Sequence, residues 1–357
     1  MSVRFAIALL AGALGIVSPA AHADDFYKGK VVTVLVNYTA GGPTDIEARL
    51  VAHYLVDHIP GKPTVIVKNM PGAGGNIGAN FLGEVAGKDG LTVSFFTWSP
   101  IDQVLDDPGL RIRYNNFVFI AGIGMPAVVY ARTDMPPGIA KAADIMKTPM
   151  AIIGTLSLTS PTTLESTLPL DLLGLKYKVV HGYKGLKDIE TAVLQNEVQF
   201  TAVSLAGYRS SIEPNMAKNG LVAPLWHYEI EDANGKFTPS AEAADIPGFL
   251  DVYRQLKGGT PSGLHWEALA LSNKIMSNMF RAVFMPPGSP KQAVADMRAG
   301  YAGLAKDEAF LAEYEKIAKY RATFVGGAEG EKLIAALGNV QPELVAFMKD
   351  YVNKLAK

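Results

Sequence analysis

From Lys30 to Tyr38 the chain is almost continuously apolar, and from Ile46 to Leu55 apolar residues return at 46, 50, 51, 54 and 55. The first pattern predicts a strand buried on both faces of a parallel sheet. The second predicts a helix over 43–58 with one face turned inward. Between them lies Asn37-Tyr38-Thr39-Ala40-Gly41-Gly42-Pro43-Thr44-Asp45, a tight turn leading into a helix start. The pattern then repeats. Thr64–Asn69 reads as a strand, Met70-Pro71-Gly72-Ala73-Gly74-Gly75-Asn76 as a second Gly-rich turn, 76–86 as a helix and Leu91–Thr97 as a third strand. This β-α-β-α-β order implies parallel strands joined by right-handed crossovers.

Residues 100–116 are loop-like, and Phe117–Gly124 and Ala127–Arg132 read as strands around Met125-Pro126. The βαβαβ order then recurs. Met150–Gly154 is a strand, 162–173 a helix ending at Gly174, Tyr177–Val180 a strand, 186–195 a helix and Val198–Ser204 a strand. The stretch 226–263, with Asn234-Gly235, Pro239, Pro247-Gly248 and Gly258-Gly259, reads mainly as loops. Ala282–Met285 is a short strand, and helices over 290–305, 307–318, 329–336 and 341–356 finish the chain. The expected fold class is α/β: two doubly wound α/β domains with a ligand cleft between them. The expected division is 1–23 as a signal peptide, 24–125 as the first part of domain 1, 126–264 as domain 2, and 265–357 as the return to domain 1.

In such sheets ligands sit at the carboxyl ends of the strands. In the first half those ends carry Tyr38, Thr39, Ala40, Gly41, Gly42 and Thr44, then Gly74, Gly75 and Asn76, then Thr97, Trp98 and Ser99. In the second half they carry Ser157, Thr159 and Ser160, then His181 and Tyr183, then Ser204. The glycines uncover backbone N–H groups, and a helix start adds a positive dipole end, so the turns suit an anion. Asp45, in a first helical turn, reads as a cap rather than a catalytic acid. Trp98 and Tyr38 could pack against a ligand or line the domain interface.

The 357 residues include Arg4, an apolar run Phe5–Val17 and Ala21-His22-Ala23 before Asp24. This is the grammar of a cleaved secretory signal, with the mature chain beginning near Asp24 in the periplasm. There is no cysteine, so thiol chemistry and disulfides are excluded. The formal net charge of −1, with no basic stripe, speaks against nucleic acid. Gly72–Gly78 lacks the third glycine of G-x-G-x-x-G, since Ile77 stands there. His53 and His58 are not at metal-pair spacing, no H-E-x-x-H is present, and no G-x-S-x-G elbow accompanies Ser157 to Ser160. No cofactor, metal or catalytic residue is expected.

These turns carry a family pattern. Gly41-Gly42-Pro43-Thr44-Asp45 with Ala48-Arg49, the run Asn69-Met70-Pro71-Gly72-Ala73-Gly74-Gly75-Asn76-Ile77-Gly78, Lys88-Asp89-Gly90, Gly182-Tyr183-Lys184-Gly185, Asn196-Glu197-Val198 and Pro286-Pro287-Gly288-Ser289-Pro290 keep one order along the chain. Together they resemble the tripartite tricarboxylate transporter receptor family, the TctC or Bug type of periplasmic solute-binding protein. The resemblance implies two domains closing on a small carboxylate held by backbone N–H groups and water, with permease subunits as membrane partners and a monomeric receptor. The chain departs from the pattern at Tyr38-Thr39, at Met70, at Leu156-Ser157-Leu158 and at Gln195-Asn196. A ligand-loaded sensor and a hydrolase using the Ser157–Ser160 turn are the rival readings.

Overall fold

The computed structural model describes residues 25–231 and 236–357. The expected signal peptide with its cleavage site, and the Asn234-Gly235 turn, lie outside the described residues.

The first lobe opens with β1 (Val31–Val36), α1 (Pro43–Leu55), β2 (Thr64–Asn69), α2 (Asn76–Glu84), β3 (Thr92–Ser94), β4 (Phe96–Thr97), α3 (Pro100–Val104) and β5 (Val118–Gly124). β1 is the central strand, parallel to β2 on one side and β3 on the other. Val32, Val34, Leu35 and Val36 are buried, as expected of a strand with neighbours on both edges and helices on its faces. Phe95 interrupts the third strand but keeps a bond to Leu35, donating its N–H to that carbonyl at 2.8 Å.

The chain then enters a second sheet. Its elements are β6 (Ala127–Arg132), β7 (Ala151–Thr155), α4 (Pro161–Leu173), β8 (Tyr177–His181), α5 (Leu186–Leu194), β9 (Phe200–Ser204), the short α6 (Leu205–Gly207) and β10 (Val222–His227). The strand order is β10-β6-β9-β7-β8, with β7 parallel to β8 and β9, and β6 antiparallel to β9 and β10. A small pair, β11 (Ile230–Glu231) and β12 (Phe237–Thr238), precedes α7 (Phe249–Lys257) and α8 (Leu264–Asn278).

The last segment returns to the first lobe through β13 (Arg281–Met285), α9 (Lys291–Leu304), α10 (Glu308–Ala318), β14 (Thr323–Gly326), α11 (Gly327–Ala336) and α12 (Pro342–Leu355). β13 lies antiparallel between β4 and β5, with β14 beyond β5. The Ser94 hydroxyl accepts the Phe284 N–H at 2.8 Å and joins this sheet to β3. The architecture is therefore two α/β lobes, each built on both parallel and antiparallel strand pairs. α12 touches both. Tyr351 meets Tyr177 hydroxyl to hydroxyl at 3.0 Å in the second lobe, and Lys349 pairs with Asp106 of the first at 3.3 Å.

Two stretches differ from the sequence expectation, and a third, for which none was made, adds a turn. The loop expected over 100–116 contains α3, started by Pro100 at its first position. The loops expected over 226–263 contain α7, which buries Phe249 and Val252 on one side and stops at Gly258-Gly259, both at positive φ. Residues 208–217, after Ser204, form a π-type turn around Pro214, where a missing N–H loosens the regular ladder.

Candidate functional site

The first turn is organised by Asp45. Its carboxylate accepts the Gly41 N–H at 2.8 Å, Arg49 Nε at 3.0 Å and Asn69 Nδ2 at 3.0 Å. Burial works to raise this carboxyl, but the bonds from Arg49, Gly41 and Asn69 outweigh it and hold it below the usual range. Asp45 thus shapes the turn and consumes the Gly41 donor. Gly41 itself sits at φ +75, a conformation few side chains tolerate, whereas Gly42 has an ordinary φ of −82. The N–H groups of Thr44 and Asp45, in the first turn of α1, have no partner inside the helix.

The second turn is held from below. The Tyr38 hydroxyl donates to the Gly74 carbonyl at 2.7 Å, and Asn37 Nδ2 donates to the Thr97 carbonyl at 2.9 Å. Gly72, Ala73, Gly74 and Gly75 all have positive φ, and the Gly75 N–H closes the turn on the Gly72 carbonyl at 3.0 Å. α2 begins directly after it. Asn76, its first residue, donates to Asp102 Oδ2 at 2.7 Å.

Behind both turns lies a buried ion pair. The Arg281 guanidinium, fully buried, binds both oxygens of Glu47 and the Thr97 hydroxyl. Tyr314 donates to Glu47 at 2.9 Å, and the Thr97 and Thr44 hydroxyls meet at 2.9 Å. A buried charge needs such full pairing to be tolerated. The network clamps α1, β4, β13 and α10 behind the helix start.

The second lobe meets these turns with its own helix starts. Ser160 precedes α4, with Pro161 at its first position, and Gly185 precedes α5. The Ser160 hydroxyl lies 2.9 Å from the Ser157 carbonyl, 3.1 Å from Thr162 and 2.9 Å from Thr163 hydroxyls. The lobes are in close contact here. A Cβ placed on Gly74 would lie 2.6 Å from Ser157 Oγ, one on Gly42 3.7 Å from Lys187 Cβ, and one on Gly185 would collide with the Thr39 hydroxyl. The starts of α1, α2, α4 and α5 therefore gather along one interlobe boundary, with their positive dipole ends turned to it. Among the described residues, no group of three or more His, Asp or Glu is placed to hold a metal ion, and no helix is long and apolar enough to cross a membrane.

No family model matches the chain. By sequence it is similar to a UPF0065 protein of Agrobacterium vitis, from the TAR-I ttuE-ttuC' intergenic region, at 28% identity over 60% of this chain and 62% of that one. It is also similar to a UPF0065 protein of Cupriavidus necator, from the gbd 5' region, at 30% identity over 56% and 61%. The chain thus spans about three fifths of the length of these curated relatives. By structure it resembles the periplasmic binding protein BugD, with a TM-score of 0.67, 21% identity and coverage of 92% of this chain and 99% of that one. The fold is that of a Bug-type periplasmic binding protein. MatC of Rhodopseudomonas palustris with bound malate gives a TM-score of 0.65, 18% identity and coverage of 90% and 99%. Rpa4515 of R. palustris with adipate gives 0.64, 20%, and 92% and 97%. BugD and a TctC solute binding protein from Polaromonas share this fold, and the resemblance read from the sequence motifs is borne out.

Within this Bug-type fold the sequence-derived residues fall into three groups. Thr39, Ala40, Gly41, Gly42, Gly74, Gly75, Asn76, Ser157 and Thr159 belong to the turns at the interlobe boundary. Tyr38, Thr44, Thr97, Ser99 and Ser160 lie just behind, their side chains tied into the hydrogen bonds that shape those turns. Four side chains turn elsewhere. Trp98 is core, not cleft mouth: its Nε1 donates to the Met279 carbonyl at 2.6 Å and its ring packs edge-on against Tyr114. Ser204 caps α6 by accepting the Gly207 N–H at 3.1 Å. His181 is exposed at the end of the edge strand β8. Tyr183 donates to Glu197 at 2.7 Å. Asp102 escaped the sequence reading, because the loop expected over 100–116 hid the short helix that aims it inward.

Proposed function

We propose that this protein is an exported solute receptor that captures a small carboxylate between its two lobes and hands it to a membrane permease of the tripartite type. The observation that carries the reading is the gathering of four helix starts, from both lobes, at one boundary, where first-turn N–H groups have no partner inside their helices. Such a site binds an anion without a buried Lys or Arg, and bridging waters can complete it at little cost. The domain division at 125/126 and 264/265 follows from the reading, with residues 24–125 and 265–357 as one closing half and 126–264 as the other. The N-terminal signal would place the mature protein, as a monomer beginning at Asp24, in the periplasm. The malate and adipate held by the neighbouring structures suggest organic acids as ligands.

The hydrolase reading finds little chemistry to use. The hydroxyls of Ser157, Thr159 and Ser160 hydrogen-bond to one another, to neighbouring hydroxyls, to the Ser157 carbonyl and to Asp107. A nucleophile needs an adjacent base held by a third group. Incubation with malate and adipate, followed by both thermal melting and product assay, separates the readings. Reversible stabilisation by at least one of them without turnover is expected, since binding to the native state raises stability by mass action. Steady product release would overturn the receptor.

A further inference from the structure

The anion-binding turns do not account for Asp102. This carboxyl, in the first turn of α3, is fully buried. Its Oδ2 accepts the Asn76 amide at 2.7 Å, while its Oδ1 has no partner. That bond commits Asn76 Nδ2 and leaves Asn76 Oδ1, also buried, without a partner. Thr159 of the opposite lobe stands beside the same carboxyl and reaches Asp107 at 3.4 Å. Asp102 is thus bracketed by the start of α2 and the 157–160 turn, at the interlobe boundary.

Buried polar atoms without partners are rare and ask for an explanation. With Asp102 ionised, the two unpartnered atoms are both acceptor oxygens on adjoining side chains. A ligand made only of carboxylates brings further acceptors. It would leave both oxygens unpaired or force Asp102 to stay protonated, and would set its charge beside Asp102 and Asp107. A ligand with an N–H or O–H group next to its carboxylate would satisfy them.

We infer that Asp102 and Asn76 form a donor-reading subsite, so that the ligand is a carboxylate bearing an ammonium or hydroxyl group rather than a plain dicarboxylic or tricarboxylic acid. The inference rests on the receptor reading above and narrows its ligand class. Burial holds the free carboxyl near neutrality, at about 7, and an arriving ammonium would draw it down. Binding of an amino acid near pH 7 should then release a proton, whereas a hydroxy acid should not.

Titration calorimetry on the intact mature protein tests this with matched sets: succinate, malate and aspartate, and glutarate, 2-hydroxyglutarate and glutamate. In at least one set a substituted acid should bind about tenfold or more tightly than its parent, because a polar site rejects the analogue that leaves it unpaired. Asp102→Ala should erase that preference while the parent acid still binds. Asp102→Asn, which keeps the size of the side chain, should lose the ammonium preference and the proton release. Equal binding of parent and substituted acids, or a preference that survives Asp102→Ala, overturns the subsite alone. Failure of all six acids to bind overturns both the subsite and the receptor reading.

Discussion

Glu165, on α4, has both carboxylate oxygens buried without a partner, and burial pushes its carboxyl up from 4.5 to about 8. The folded chain holds this proton more tightly than the unfolded chain does. Stability from this group therefore falls as pH rises from about 4.5 to about 8. Glu165→Gln should leave the melting temperature nearly unchanged at pH 4.5 and raise it at pH 8. An equal offset at both pH values would contradict the burial argument. Arg281 and Glu47 make the opposite case, a buried charge that is fully matched. Arg281→Ala leaves the Glu47 carboxylate buried and unpaired, and should destabilise by about 3–5 kcal/mol in denaturant unfolding. A loss below about 1 kcal/mol would mean that water replaces the guanidinium. Neither feature was legible in the sequence. A charged residue in a helical pattern reads as solvated, and the partner of Glu47 lies 234 positions away. Asp45 was legible as a structural carboxylate, since its bonds to Gly41 and Arg49 are local.

At the level of elements, the apolar runs and Gly-rich turns marked β1, α1, β2 and α2 closely, and the second half as well. They failed where the local signal was thin. α3 is too short to show a period, and α7 was hidden by the Gly and Pro residues around it. The turns were visible as turns, but which of them touch across the boundary was not, because that depends on contacts between distant segments. Gly185 shows the consequence. Its φ of −172 is ordinary extended backbone, so alanine there carries no backbone strain. The added Cβ would instead strike the Thr39 hydroxyl of the other lobe. Gly185→Ala should therefore hold the lobes apart and weaken carboxylate binding by about tenfold or more, since affinity scales with the fraction of closed molecules. Melting of the ligand-free protein should change little. Unchanged affinity would show that closure at this contact is not needed for binding.

Over the whole molecule, two lobes joined at Met125-Pro126 and again through α8 bring helix starts from distant parts of the chain to one boundary. The surface also offers a cavity of about 630 Å³ between β8 and α12, lined by Asp171, Tyr177, His265 and Tyr351. Its polar floor is already satisfied, as Tyr177 and Tyr351 both donate to Asp171. The turns at the boundary, by contrast, keep unpartnered groups. Fractionation followed by N-terminal sequencing should find the mature chain outside the cytoplasm and beginning at Asp24; a cytoplasmic chain retaining Met1 would contradict export. The most direct measurement is crystallographic electron density for the protein soaked with malate and aspartate. A carboxylate within hydrogen-bonding distance of the Thr44 or Asp45 N–H on one side, and of the 157–160 or 185–187 turn on the other, is expected. Density in the β8–α12 cavity with the interlobe boundary empty would contradict it.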